Sequence, residues 1–222
     1  MAAPGMPMGG GASVAHEITH GPSFALLRVD LQPGQTLVCE AGSMVARSSH
    51  LGMEVKMSAG KSPGFIGMIV SIFIAFIRKM MGGESFFTNH FSGPQPGSVW
   101  VAPAMAGEIT HRRMNPGELL ILSAGAYLAS VGDIDIKMKF GGLKSILAKE
   151  GAFMLAVSGS GDIWFNSYGG TPAVDINGPF MVDNGHLVGY EGQLQFNLKS
   201  AGGGMFGALE IGLEVVSDAA LA

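Results

Sequence analysis

Along most of the chain apolar and polar residues alternate over four to eight positions, and the runs end at Gly, Pro or Asn. That period of two is the signature of β-strands with one buried face. Phe24 to Val29 runs toward a Pro33-Gly34 turn, and Ser98 to Ala102 stops at Pro103. The clearest case is Asp133-Ile134-Asp135-Ile136-Lys137-Met138-Lys139-Phe140. It predicts a strand with its charges on one face and its apolar residues on the other. Its two aspartates need no catalytic role, because a solvated strand face accounts for them.

The pattern also repeats. Residues 29–46 align without a gap on residues 112–129, with six identical positions: Pro33/Pro116, Gly34/Gly117, Leu37/Leu120, Ala41/Ala124, Gly42/Gly125 and Ala46/Ala129. A weaker third copy starts at Asp175-Ile176-Asn177-Gly178 and, with a one-residue gap, reaches Gly185 and Val188. Gly34, Gly117 and Gly178 are the predicted tight-turn positions, and Gly42, Gly125 and Gly185 mark a second turn or bulge. No such unit buries its apolar face alone, so three are expected to pack as one body. The predicted organisation is a Gly-rich tail over 1–15 and a single all-β domain over 16–218, with repeats near 18–58, 98–140 and 162–200. Closure as a barrel and stacking as a sandwich both fit.

One segment departs from the alternation. Residues 65–77 carry no charge, and Arg78 and Lys79 follow before Gly82-Gly83. This predicts a short apolar helix over 65–81, with cations in its last turn where they suit the helix dipole. Seventeen residues span about 25 Å, too short for a comfortable membrane crossing. Gly67, Ser71 and Ala75 form a small face suited to close packing. Phe65, Ile69, Ile72, Phe73, Phe76, Arg78 and Lys79 are the candidate contact residues, for the chain's own β-body, another subunit, a membrane surface or a buried ligand pocket.

Composition narrows the function classes. Only 14% of residues are charged and 47% are hydrophobic, which points away from disorder and toward apolar surface covered by a copy, a partner or a membrane. The single Cys39 excludes an internal disulfide framework and favours a reducing, cytoplasmic compartment. The N-terminal segment has neither the basic start nor the unbroken apolar run of a secretion signal. With 13 Lys and Arg against 17 Asp and Glu, there is no basic footprint for nucleic acid. His111-Arg112-Arg113 is the compact basic cluster apart from Arg78-Lys79, and a solvated strand end explains it.

Motifs of catalysis are weak. His16-Glu17-Ile18-Thr19-His20 matches the zinc-protease pattern, which requires a helix to bring both histidines onto one metal. Here a Gly-rich tail precedes it, Gly21-Pro22 follows it, and Ile and Thr favour a strand, where the two histidines stand about 13 Å apart. Gly60-Lys61-Ser62 lacks the earlier glycine of a phosphate loop, since Val55 occupies that position. His50, His90, His111 and His186 are dispersed along the chain. No catalytic, cofactor-binding or metal-binding residue is assigned.

Gly21-Pro22-Ser23-Phe24-Ala25-Leu26-Leu27, Leu31-Gln32-Pro33-Gly34-Gln35, Glu40-Ala41-Gly42-Ser43-Met44, Gly83-Glu84-Ser85-Phe86-Phe87 and Gly125-Ala126-Tyr127-Leu128-Ala129 together resemble the altered-inheritance-of-mitochondria family, in its bacterial branch, from about Ile18 to Val216. The resemblance implies a fold similar to the tryptophan RNA-binding attenuation protein, a β-sandwich of double-stranded β-helix type. It does not imply RNA binding, because similar folds host unrelated functions. Its mitochondrial members are associated with inner-membrane organisation, and it carries over no catalytic residue. The stretch from Phe65 to Ile77 departs from the family pattern.

The expectation is a non-enzymatic, homo-oligomeric β-scaffold without cofactors, cytoplasmic and peripheral at the inner face of the cytoplasmic membrane. The alternative is a small-molecule or metal-binding protein or enzyme with a pocket between repeats.

Overall fold

The computed structural model describes residues 13–57, 87–139, 154–183, 186–192, 194–200 and 211–217. The predicted helix and its contact residues Phe65, Ile69, Ile72, Phe73, Phe76, Arg78 and Lys79 lie outside the described residues, as do Gly185 and the start of the tail. Among the described residues the chain is all-β and contains no α-helix. The strands are β1 (Ala15–Thr19), β2 (Leu26–Leu31), β3 (Thr36–Glu40), β4 (Met44–Arg47), β5 (Gly52–Met57), β6 (Phe87–Ser92), β7 (Gly97–Val101), β8 (Ile109–Met114) and β9 (Leu119–Ser123). After a 3-10 turn, η1 (Ala124–Ala126), come β10 (Tyr127–Lys139), β11 (Met154–Asn166), β12 (Phe180–Asp183), β13 (Gly189–Glu191), β14 (Leu194–Ser200) and β15 (Ile211–Ser217).

Among the described residues the strands pair antiparallel throughout. One sheet has the order β1-β2-β7-β4; a second runs β13-β9-β11-β10-β3-β6-β5, with β8 also on β11; a third is β12-β15-β14. Strict alternation in β2 and β3, where Leu27, Val29, Leu31, Leu37 and Cys39 are buried, places their odd-numbered residues in one core. That core lies between the first two sheets and also takes Phe91, Val99, Val101, Leu128, Ala129, Val131 and Trp164. A second core gathers Met114, Leu120, Leu122, Tyr127, Leu155, Val157 and Ile163, with Ile134, Ile136 and Phe165 packed against it. Asp133, Asp135 and Lys137 are exposed while Ile134 and Ile136 are half-buried, the split that alternation predicts for this strand.

Register shows how the chain passes between sheets. β2 pairs with β7 from Leu27 opposite Val101 to Leu31 opposite Gly97, and β3 pairs with β6 starting at Thr36 opposite Ser92. The offset is the same on both sides. The two arms therefore form one antiparallel ribbon interrupted by facing excursions, residues 32–35 and 93–96, tied by the Gly34 amide donating to the Gly93 carbonyl at 3.1 Å. Gly34, at φ +79°, makes the turn.

The aligned sequence segments share an order but not a setting. β2, its Pro33-Gly34 turn, β3 and β4 match β8, the Pro116-Gly117 turn, β9 and β10. Gly117 and Gly42 have φ of +90° and +95°, whereas Gly125 lies inside η1. β2 and β3 belong to different sheets, but β8 and β9 follow one another along the same edge of β11. Within the third copy, residues 175–188, Gly178 sits in a bend and β12 follows it, while residues 171–176, where the strand before the turn would fall, carry none.

Candidate functional site

Asp162 is the centre of the most strongly organised polar cluster. It faces Val131 on β10 and Arg113 on β8, in the middle of the second sheet. Its side chain is 1% exposed, so an unpartnered charge there would be costly. Instead every direction is met. Oδ1 accepts from Ser13 Oγ at 2.7 Å and pairs with His111 Nε2 at 2.9 Å. Oδ2 accepts from the Val14 amide at 2.9 Å and from the Arg113 guanidinium at 2.7 Å. Burial alone would raise this carboxyl's pKa, but the hydrogen bonds from His111, Ser13 and Val14 and the Arg113 charge outweigh it and hold it at about 2.

Aromatic rings roof the cluster. His16 lies with its centroid 4.3 Å from His111 and 5.1 Å from Trp164, and His111 stacks at 5.3 Å on Trp164, which is fully buried. His16 Nδ1 is 2.9 Å from the Val14 carbonyl oxygen. The cluster thus clamps residues 13–16, the lead into edge strand β1, onto β8 and β11. With its carboxylate oxygens filled, Asp162 has no acceptor left to serve as a base, and its role here is to anchor.

The sequence motifs are redistributed. His16 joins the clamp, but His20 lies beyond β1 with its Nδ1 2.9 Å from Thr19 Oγ1. Residues 16–19 are strand, so the two histidines of the zinc-protease pattern have different surroundings. Among the described residues no group of three or more His, Cys, Asp or Glu side chains is placed to hold a metal ion. His111-Arg112-Arg113 is not a solvated strand end. Alternation sends His111 and Arg113 to Asp162, while Arg112 pairs with Glu118 at 3.4 Å and Glu191 at 2.9 Å. Asp162 and Trp164 were not singled out from the sequence. The available signal was a carboxylate inside the apolar run around Ile163-Trp164.

A second feature is apolar and open. Phe24, Met105 and Tyr168 are 74%, 60% and 76% exposed. Their segments interlock through bridges from Phe24 to Gly107 and from Gly107 to Gly169. The Ala25 amide donates to the Gly107 carbonyl at 3.2 Å, the Glu108 amide to Gly169 at 2.9 Å, and the Thr171 amide to Glu108 Oε2 at 2.7 Å. A Cβ at Gly107 would stand 1.7 Å from the Ser167 carbonyl oxygen, so only glycine permits this approach. Backbone contacts therefore hold together the segments that carry the three exposed side chains, which we refer to as one rim.

Two titratable groups near β3 complete the electrostatics. Burial raises the Glu40 carboxyl to about 7. Burial also pushes the Cys39 thiol up to about 11, with Glu40 adding to the rise and a Ser43 hydrogen bond opposing it. A thiol so placed is inert rather than nucleophilic.

The model of the family described as "Mitochondrial biogenesis AIM24" matches residues 16–218. The chain belongs to this family. It is 28% identical over 185 residues to an uncharacterised protein of Streptococcus pyogenes serotype M6, covering 82% of this chain and 72% of that protein. The crystal structure of another Streptococcus pyogenes protein superposes with a TM-score of 0.67 at 24% identity, over 92% of this chain and 89% of that one. That likeness shows a shared fold. Among the described residues no helix is long and apolar enough to cross a membrane.

Proposed function

We propose that this protein is a non-enzymatic, homo-oligomeric β-scaffold that works through protein contacts at the cytoplasmic face of a membrane. The observation that carries this reading is the rim of Phe24, Met105 and Tyr168, exposed apolar side chains on segments joined by backbone bridges. Exposed apolar groups on an ordered frame suit docking better than chemistry. The charged cluster supports the same view, since its carboxylate is consumed in anchoring β1. Nucleic acid is disfavoured by a net charge of −4 and by the engagement of Arg112 and Arg113 with carboxylates. The repeated order of β2 to β4 and β8 to β10 supports two copies of one β-unit, in the manner of the tryptophan RNA-binding attenuation protein fold. Membrane attachment is assigned to the uncharged run from Phe65 to Ile77 with Arg78 and Lys79 behind it.

Sedimentation velocity and liposome flotation test the proposal together. The native chain is expected to sediment above its monomer mass of 23.0 kDa, and the Phe24→Ser, Tyr168→Ser variant to shift toward smaller species. Flotation with anionic vesicles is expected for the native chain and not for a folded Ile72→Glu, Phe76→Glu variant. A native chain that is monomeric at every concentration and does not float overturns the scaffold reading.

A further inference from the structure

The outer edge of β5 is the surface that goes furthest. Among the described residues β5 pairs only with β6, in an unbroken register from Gly52 opposite Ser92 to Met57 opposite Phe87. Its other edge has no strand opposite it among the described residues. Edge strands are commonly protected by proline, a bulge, short length or charged side chains, lysine above all; this six-residue strand has neither proline nor bulge, and its Lys56 is paired with its own Glu54 at 3.5 Å. Met53 and Val55 share a face and are 47% and 46% exposed. They face Phe91 and Asn89, both buried, so they continue the face of the main core out to the sheet's edge. On the opposite face are Glu54 and Lys56, whose side chains are 75% and 56% exposed.

We propose that β5 is the contact between two copies of this chain, paired antiparallel about a two-fold axis at Val55. This deepens the scaffold reading, on which it rests, by naming a second copy-to-copy surface beside the Phe24, Met105 and Tyr168 rim. The register follows from the sequence of the strand. Centring the axis on Val55 sets Glu54 opposite Lys56 of the second copy and Lys56 opposite its Glu54, with Val55 facing Val55 and Met53 opposite Met57. Centring on Glu54 or Lys56 sets like charges opposite each other, which destabilises a strand pair. An axis between residues sets apolar positions against charged ones. Axes on Met53 or Met57 engage only an end of the strand, so a single register that uses most of β5 satisfies both faces, and it is self-complementary, as a closed two-fold interface requires. Two short strands bury little area, which places the dimer among small, weak interfaces with a dissociation constant of roughly micromolar order.

The register makes a sharp test. Residues facing each other across an antiparallel pair have Cα atoms about 4.5 to 5.5 Å apart, within the range a disulfide spans. Val55→Cys is expected to form a covalent dimer under mild oxidation, with the native Cys39 buried and silent. Met53→Cys is not, because its own counterpart lies about 13 Å away. By sedimentation velocity, Glu54→Lys is expected to weaken the native dimer at least ten-fold, and Glu54→Lys with Lys56→Glu to restore it. Thermal melting checks that each variant keeps its fold.

If the native chain self-associates but Val55→Cys does not cross-link, or Glu54→Lys leaves the dimer unchanged, the β5 contact is overturned and the scaffold stands. If the native chain is monomeric at every concentration, the β5 dimer is overturned; the scaffold falls with it only where flotation also fails. Amides of β5 protected from hydrogen exchange in a monomeric chain would show the edge covered by its own chain, and would overturn the contact equally.

Discussion

Two places in the molecule carry a long ribbon past a core, and they do it in opposite ways. At the first, β2 and β7 hand over to β3 and β6 through four-residue excursions, and the ribbon changes sheet. Leu27, Val29 and Leu31 before the excursion and Leu37 and Cys39 after it all reach the same core. At the second, β10 and β11 run on in one sheet without an excursion, but one of the two buried faces loses its cover. Ala129 and Val131 lie in the main core; two residues on, the same face carries the exposed Asp133, while the opposite face stays in the second core from Tyr127 and Ile163 through to Ile134 and Ile136. Here the chain has no loop to absorb the change. Gly132 and Gly159 each adopt φ of +112°, and the backbones approach so closely that a Cβ on Gly159 would stand 2.1 Å from the Asp133 carbonyl oxygen. An excursion preserves the core by moving the sheet, whereas at the glycine crossing the sheet and its second core run on while the other face passes from the main core to solvent.

One added methyl group at each place separates the two. Gly159→Ala is expected to cost more than about 4 kcal/mol or to prevent folding, because backbone must move on both strands. Gly34→Ala has open space around its Cβ and is expected to cost only about 1 kcal/mol, for the left-handed φ. Equal losses in urea unfolding would erase the distinction.

Asp162 stands beside Gly161 at the glycine crossing, so removing its charge asks whether the crossing is also anchored electrostatically. Asp162→Asn is expected to lose about 3 kcal/mol at pH 7, as breaking a buried, hydrogen-bonded pair does. The sign in pH follows from a folded pKa of about 2 against 3.8 unfolded. The stabilisation is complete above about pH 4 and disappears as pH falls from there through 2. The gap between native and variant should therefore narrow by about 2 kcal/mol over that window. A gap constant with pH would reduce Asp162 to packing.

Glu40, at the far end of the excursion ribbon, has the opposite sign. Its folded pKa of about 7 exceeds the ordinary 4.5, so its cost to stability develops as pH rises between those values. Glu40→Gln is expected to match the native chain below pH 4 and to exceed it by about 1 kcal/mol above pH 7, the figure being kept small for a group only partly shielded from water. A variant less stable than the native chain at pH 8 would show that Glu40 has a stabilising role as an anion. The mildest test concerns Cys39, one residue earlier in the ribbon. Its alkylation at pH 8 should proceed only through opening of the fold, at least about 100-fold slower than a free thiol.

Strand content, the wet face at Asp133 and Asp135, and the turns at Gly34, Gly42 and Gly117 were legible in the sequence, because period and turn chemistry are local properties. So was the strand around His16, from Ile18, Thr19 and the flanking Gly21-Pro22. Family membership was carried by local motifs as well, such as the Pro33-Gly34 turn and the segment from Gly125 to Ala129. The clamp was not legible, because Ser13, His111, Arg113 and Asp162 are drawn together across as many as 149 positions. Only strand register decides that Arg113 faces Asp162 while Arg112 turns to Glu118 and Glu191. The same holds for the repeats. Alignment equates Gly34 with Gly117, yet β2 and β3 part into two sheets while β8 and β9 stay on one edge, since pairing partners are chosen by the whole chain. Alternation fixes which residues share a face; tertiary structure alone decides which core, or which solvent, that face meets.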